Sequence, residues 1–250
     1  MISAVKAELR KLLSVRSTYF IVLFMLLLEG IFAFWANGYK VSPAQTAQAG
    51  FLAQNIIDGV TALATFPAIV AVLLMTHEYR YNTILHSLTL SPSRLRVLFA
   101  KLLVISTYAL VITAIFGAIT VGLTMLGLHL GGHHLVAQSI PFHTVVWKAL
   151  FYGWGMGIAG LLLASLIRNQ IAAVVSLLVV PGIIEQLLSL LLKKHSVYLP
   201  FTALGQVVGN NTGPSVSAHL SPTHAASVFL AWLVGGLVVA AILFVRRDAN

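Results

Sequence analysis

Six long apolar runs dominate the chain and leave little sequence between them. They cover approximately Thr18–Trp35, Asp58–Met75, Val97–Leu128, Val145–Ile167, Ile171–Leu192 and Ala225–Val245. Because about 20 apolar residues in a helix cross the hydrocarbon core of a bilayer, each run predicts a transmembrane helix. Only 8% of the residues are charged and 59% are hydrophobic, which excludes an ordinary soluble domain. The sequence predicts an all-α, six-span integral membrane protein forming one domain over residues 1–250.

Several small-scale features refine the predicted spans. The third run is too long for a perpendicular span, so we expect it to tilt or to begin outside the hydrocarbon. Pro67 and Pro181 are expected to kink their spans, because proline lacks a backbone N–H. In the fourth run, Gly153 and Gly157 form a GxxxG pair, which predicts close helix packing within a subunit or between subunits.

The basic residues predict how the chain is oriented in the membrane. With the N-terminus in the cytosol, one side carries eleven basic residues and the other carries four. The eleven are Lys6, Arg10, Lys11, Arg16, Arg80, Arg94, Arg96, Lys101, Arg168, Arg246 and Arg247, and the four are Lys40, Lys148, Lys193 and Lys194. Under the positive-inside rule, we expect both termini to be cytosolic in a cytoplasmic membrane, with residues 193–224 as the longest outer loop. The basic residues that give the chain its net charge of +9 are then expected to contact anionic lipids and not nucleic acid.

Residues 1–17, before the first run, have an amphipathic pattern. We expect one apolar helical face, consisting of Ile2, Val5, Leu9, Leu12 and Leu13. The basic residues Lys6, Arg10, Lys11 and Arg16 accompany it. This pattern predicts a helix lying in the inner membrane interface, although a plain extension of the first span is the alternative.

A short basic segment, residues 77–96, separates the second and third runs. Tyr81, Ile84, Leu85 and Leu88 recur at helical spacing, which predicts a small surface helix. Ser91 followed by proline then favours a helix start, since serine caps helices and proline fits their first turn. This is where a water-soluble partner could act on the membrane part.

Three sequence pieces together resemble the six-span permease of type-2 ABC exporters. They are ELRKLLSVRS near the N-terminus, EYRYNT followed by SPSRLRVLFAK between the second and third runs, and YLPFTALGQVV in the last outer loop. The resemblance implies an interfacial N-terminal helix and a cytosolic coupling helix that contacts a separate ABC ATPase. It also implies a second permease copy or a paralogue around a translocation path. The chain itself would then hold no cofactor, and ATP and Mg²⁺ would bind the partner.

The resemblance places coupling to the ATPase on residues 77–96. The family pattern E-x-R-x-G-T maps onto Glu78, Arg80 and Thr83, with Asn82 where glycine is common. Asparagine tolerates left-handed backbone geometry, so a turn can still form at Asn82 in place of glycine. A turn there is an alternative to the continuous surface helix. The polar groups expected to contact the ATPase are Glu78, Tyr79, Arg80, Thr83 and His86. Alternatively, the charges are ordinary juxtamembrane residues.

Two acids, Glu29 and Glu185, fall inside apolar runs. An ionised carboxylate near the bilayer centre costs roughly 3 kcal/mol or more, so each should be protonated, hydrated or paired. We expect one or both acids to line a translocation path or a subunit interface. The alternative is a neutral, hydrogen-bonded acid, or, more easily for Glu185, one that reaches water.

The sequence shows no motif for catalysis or nucleotide binding. It contains no cysteine, no P-loop and neither an HExxH nor a GxSxG motif. The loop histidines His129, His133, His134 and His143 lack an acidic second-shell partner, so we expect no metal site. The resemblance, together with these missing motifs, implies a transport subunit and not an enzyme. Alternatives are a non-transporting assembly or sensor subunit on the same scaffold, and an intramembrane enzyme using Glu29, Glu185 and a histidine.

Overall fold

The computed structural model describes residues 2–48, 50–80, 94–135, 142–209 and 219–246, and these ranges contain helices and no strands. Within them, six helices are long and apolar enough to cross a membrane. Spans 1 to 6 are Arg16–Tyr39, Phe51–Tyr79, Leu95–Gly131, Phe142–Ile167, Gln170–Tyr198 and Pro222–Leu243. The predicted all-α, six-span fold is confirmed.

A separate N-terminal helix, Ile2–Ser14, precedes span 1. The chain is extended at Val15, so this helix is not a continuation of the span. The apolar residues predicted to share one face are divided between the bundle and its surface. Leu12 is buried against the bundle, whereas Leu9 and Leu13 are exposed, because the side turned to the bundle follows the spacing of Leu12 and Glu8.

The spans are not uniform α-helices. Span 1 ends in a π-helix at Phe32–Tyr39, and span 2 consists of two α-helices, Phe51–Leu63 and Thr65–Arg80. Span 5 has four parts, which are an α-helix at Gln170–Val179, a π-helix at Val180–Ile184, an α-helix at Glu185–Leu192 and a 3₁₀-helix at Lys193–Tyr198. The α-helix is interrupted near both prolines that were expected to kink their spans. Span 2 is broken at Ala64, close to Pro67, which has no N–H to donate to the carbonyl four residues earlier. Pro181 lies in the π-helix of span 5.

Three further helices contain or adjoin these spans. They are Arg94–Gly131, which contains span 3, Pro222–Arg246, which contains span 6, and a short helix at Pro43–Thr46. A helix that we name the loop helix, Pro200–Val207, lies between spans 5 and 6. Span 2 begins at Phe51, well before the predicted Asp58. The predicted start is too late because polar side chains in the first turns lower the local hydropathy.

Span 4 is the centre of the bundle, and its glycines allow the neighbouring spans to approach it. Of its apolar window 61% is buried, against 17% for each of spans 1, 5 and 6. A Cβ added at Gly153 would overlap Thr113, and one at Gly157 would lie 2.9 Å from the Cβ of Ala109. Both contacts are with span 3. The predicted GxxxG pair therefore packs within the chain.

The spans alternate in direction, which gives the bundle two ends. We call one end the N-terminal face; it holds the N-terminal helix, the end of span 2, the start of span 3, the junction of spans 4 and 5 and the end of span 6. The opposite end, the loop face, carries the loop helix.

Candidate functional site

Four charged side chains, Glu8, Lys11, Glu78 and Lys101, form one cluster at the N-terminal face, which we name the charge cluster. Lys101 Nζ lies 2.6 Å from Glu8 Oε2 and 2.9 Å from Glu78 Oε1. Lys11 Nζ lies 2.7 Å from Glu8 Oε1 and 2.5 Å from Glu78 Oε1. Each ammonium group therefore contacts both carboxylates, and two positive charges balance two negative ones.

The charge cluster is largely removed from water. Lys101 is 0% exposed, Glu8 3% and Glu78 4%, and the Lys11 side chain is 39% exposed. Burial by itself would lower the pKa of Lys11, but the hydrogen bonds to Glu78 and Glu8 outweigh it and hold the pKa above its usual value. A buried charge without a partner is strongly unfavourable, so the four residues depend on one another.

The cluster joins three elements that meet at the N-terminal face. Glu8 and Lys11 belong to the N-terminal helix, Glu78 lies in the last turn of span 2, and Lys101 lies in the second turn of the helix that begins at Arg94. Residues 81–93 connect Glu78 to that helix along the chain. Both ends of this connection are thus fixed to each other and to the N-terminal helix.

A second contact set at the same face involves Arg168, which ends span 4. Its backbone is left-handed, with φ 57°, as is common for a residue that ends a helix. The guanidinium lies over the Tyr79 ring, 5.1 Å from its centroid, and donates to the Leu243 carbonyl at 3.2 Å. The next residue, Asn169, caps span 5 by accepting from the Ala172 N–H. Arg168 thereby links the ends of spans 2, 4 and 6.

The structure describes only part of the predicted coupling residues. Glu78 lies in the charge cluster and Tyr79 lies under Arg168. Arg80 is the last residue of the span 2 helix, and its side chain is outside the description. Thr83 and His86 lie outside the described residues, as do the predicted surface helix and the helix start at Ser91.

The predicted basic residues of the N-terminal helix divide into two groups. Lys6, Arg10 and Arg16 are exposed, whereas Lys11 contacts Glu8 and Glu78. The exposed group is compatible with lipid headgroups.

Glu29 is buried near the middle of span 1, where it is 6% exposed. Its Oε1 lies 2.5 Å from the hydroxyl oxygen of Thr120 in span 3. Gly59 of span 2 leaves room for the carboxyl group, because a Cβ there would lie 2.5 Å from Oε1. Within the described residues, no lysine or arginine forms an ion pair with Glu29.

Glu185 is buried in span 5 and binds the start of the loop helix. Its carboxylate accepts from the N–H of Phe201 at 2.8 Å and from the N–H and hydroxyl of Thr202 at 2.6 and 2.7 Å. The first N–H groups of a helix have no partner inside the helix, and a negative charge there also favours the helix dipole. This geometry gives Glu185 a structural contact at the loop face.

We expect Glu185→Ala to loosen the loop helix locally. The change leaves the N–H groups of Phe201 and Thr202 without their acceptor, which costs about 1–2 kcal/mol, as for the loss of a helix cap. Amide exchange in residues 200–207 should then be roughly 5- to 30-fold faster by hydrogen exchange mass spectrometry. Glu185→Gln keeps one acceptor oxygen and should show a smaller increase. Unchanged exchange in both variants would contradict a role of Glu185 in stabilising the loop helix.

Sequence reasoning missed Glu8 and Thr120, and treated Lys101 as a residue of the membrane surface. The signal for Glu8 was its position one turn from Leu12 on the same side of the N-terminal helix, where an acid faces the bundle. The signal for Lys101 was a lysine already flanked by apolar residues. Neither signal identifies the partner.

No group of three or more histidine, cysteine, aspartate or glutamate side chains able to hold a metal ion occurs among the residues that the structure describes. Of the loop histidines, His133 has its Nε2 3.2 Å from the Tyr39 carbonyl oxygen.

Comparison with protein families gives one match that covers most of the chain. The family model described as "ABC-2 family transporter protein" matches residues 4–185. This range includes most of the N-terminal helix, the whole charge cluster and spans 1 to 4. No curated protein matches the chain.

Proposed function

The chain belongs to the ABC-2 transporter family, as a membrane component of transport, and from this premise we propose that it is the permease subunit of an ATP-driven exporter. Two permease chains, either copies or paralogues, form the translocation path. A separate ABC ATPase binds ATP and Mg²⁺ and supplies the energy. The chain lies in the cytoplasmic membrane with both termini in the cytosol, an orientation supported by its eleven basic residues on that side against four.

The charge cluster is the main structural support for a coupling mechanism in this proposal. The coupling segment, residues 77–96, contacts the ATPase, and the cluster passes its displacement to the N-terminal helix and to spans 2 and 3. Because Lys101 bonds both Glu8 and Glu78, a push on either end of the segment moves three elements together. Coupling between an ATPase and a membrane path needs such a connected element with two arrangements.

Stability alone does not account for a buried charge cluster. Replacing a buried ion pair by well-packed apolar residues is often neutral or stabilising. Charges that must be paired do, however, fix how three helices meet, because a shifted arrangement would leave a charge buried without its partner. This favours a role in transmission between elements.

Spans 1, 5 and 6 provide the surfaces for the second permease chain and for lipid. Only 17% of each of their apolar windows is buried, against 56% for span 2. The exposed side chains of span 1 include Phe20, Phe24 and Leu27. Apolar side chains of this kind suit either a neighbouring helix or lipid tails.

The test of the mechanism is Glu78→Gln in the permease co-purified with its ATPase in lipid nanodiscs. We expect the complex to assemble but ATP hydrolysis to respond less to the permease, and transport to fall by roughly 5- to 150-fold, the range that a coupling energy of 1–3 kcal/mol spans. The measurements are ATPase rate and transport rate in reconstituted vesicles.

Asp58→Asn is the matched control for Glu78→Gln. It makes the same change of acid to amide in span 2, but Asp58 is exposed and bonds Gln54, far along the span from the charge cluster. Its coupling should equal that of the unmodified protein. Full coupling in Glu78→Gln, with an intact complex, would contradict the role of the charge cluster, and an ATPase that never associates would contradict the permease function itself.

A further inference from the structure

Glu29 has an arrangement that differs from that of every other described acid in the bundle. It is 6% exposed, and its carboxyl group is enclosed between Thr120 of span 3 and Gly59 of span 2. Glu8 and Glu78 each contact two ammonium groups, and Glu185 accepts three hydrogen bonds. Among the residues that the structure describes, the hydroxyl of Thr120 is the one polar side-chain contact of the Glu29 carboxyl.

Counting hydrogens at Thr120 indicates which group donates. The Thr120 oxygen lies 2.5 Å from Glu29 Oε1 and 2.9 Å from the Phe116 carbonyl oxygen. A hydroxyl has one hydrogen, and a carbonyl oxygen can only accept. With a protonated Glu29, Thr120 donates to Phe116 and accepts from Glu29, so each distance has its own hydrogen, whereas an ionised Glu29 would have to share the single Thr120 hydrogen with the Phe116 carbonyl. A carboxyl group donates only when it is protonated.

The charges around Glu29 favour the same protonation state. Asp58, the acid next to Gly59, is exposed and accepts from Gln54, and Asn55, one turn earlier in span 2, is neutral. Within the described part of the chain, no cationic side chain forms an ion pair with Glu29 from span 2 or span 3. Ionising an acid in this position would place an unpaired charge inside the bilayer.

We propose that Glu29 is a proton-binding site within the membrane. With span 1 packed against spans 2 and 3, the carboxyl of Glu29 holds one proton and donates a hydrogen bond to the hydroxyl of Thr120. If span 1 moves away from Thr120 and water enters, the carboxyl releases that proton to water and becomes a carboxylate. The ligand is the proton itself, and the site is independent of the charge cluster at the N-terminal face.

The test is infrared spectroscopy of the purified full chain in lipid nanodiscs at neutral pH. A water-exposed glutamate, with a pKa of about 4.3, is ionised there. We expect the carbonyl stretching band of a protonated carboxyl in the unmodified protein and its loss in Glu29→Gln. Glutamine is nearly the same size and can also donate to Thr120, so the variant should fold. Glu185→Gln is the matched control, and it should retain the band, because the two N–H groups and the hydroxyl that donate to Glu185 favour its carboxylate form.

A band that persists in Glu29→Gln, or that vanishes in Glu185→Gln, would overturn the proposal, as would the absence of any such band in the unmodified protein. Thr120→Val supplies a second test that does not alter Glu29. It removes the hydroxyl that accepts the hydrogen bond from Glu29, so the band should remain and change in frequency. A band unaffected by Thr120→Val would also overturn the proposal.

Discussion

Replacing Lys101 with methionine is expected to destabilise the protein by about 3–5 kcal/mol, the usual cost of removing one partner from a buried ion pair. Lys101 is 0% exposed and contacts both Glu8 and Glu78, so its loss leaves the charge cluster with two carboxylates and one ammonium group. Methionine has nearly the length of lysine, so the effect reports charge more than volume. Equilibrium unfolding of the purified chain in bicelles measures it.

Lys11→Met provides the matched control, because it removes the same charge from the same two acids. The Lys11 side chain is 39% exposed, so water screens its attraction to the two acids more than it screens that of Lys101. The expected loss is about 1 kcal/mol or less, as for a surface pair. Adding Glu78→Gln to Lys101→Met restores neutrality and should recover part of the stability. Equal losses in Lys101→Met and Lys11→Met would show that burial of Lys101 does not determine the effect.

The six spans could be predicted because the information for a transmembrane helix is local. A run of apolar residues long enough to cross the bilayer leaves the backbone no alternative to a helix, whatever its neighbours are. The glycine pair of span 4 is equally local, since GxxxG spacing predicts close packing, but only the structure shows that the partner is span 3 of the same chain. The start of span 2 was misplaced because hydropathy averages over polar residues that a helix can still contain.

The partners inside the bundle could not be predicted, because they join residues that are distant in the sequence. Glu8 and Lys101 are separated by 93 positions, and Glu29 and Thr120 by 91. Sequence reasoning identified Glu29 and Glu185 as acids that need a compensating group but could not find it. The structure gives the two acids opposite surroundings, a single hydroxyl for Glu29 and the start of the loop helix for Glu185.

The π-helix at the end of span 1 is the other element that sequence periodicity did not indicate. It spans Phe32–Tyr39 and packs against span 3, where Thr124 donates to the Ala33 carbonyl at 3.3 Å. The contact depends on two glycines, one on each side. Gly38 and Gly127 lie so close that a Cβ on either one would be 2.8 Å from the Cα of the other.

Gly127→Leu should therefore destabilise the protein by about 1–3 kcal/mol, as expected for overpacking of a close-packed interface. A side chain at this position would overlap the Phe34 carbonyl oxygen and lie 2.9 Å from the Tyr39 nitrogen. These are backbone atoms, and they cannot rotate away as a side chain can. Spans 1 and 3 must then separate, and the loss is measured by equilibrium unfolding in bicelles.

Gly122→Leu makes the same change on the same helix but at a site where an added Cβ meets nothing within 4 Å. Both substitutions raise the intrinsic helix propensity of span 3 by about 1 kcal/mol or less, so the difference between them reports the contact with span 1. Gly122→Leu should be neutral or slightly stabilising. If the two variants unfold alike, the close approach of Gly38 and Gly127 contributes nothing to stability.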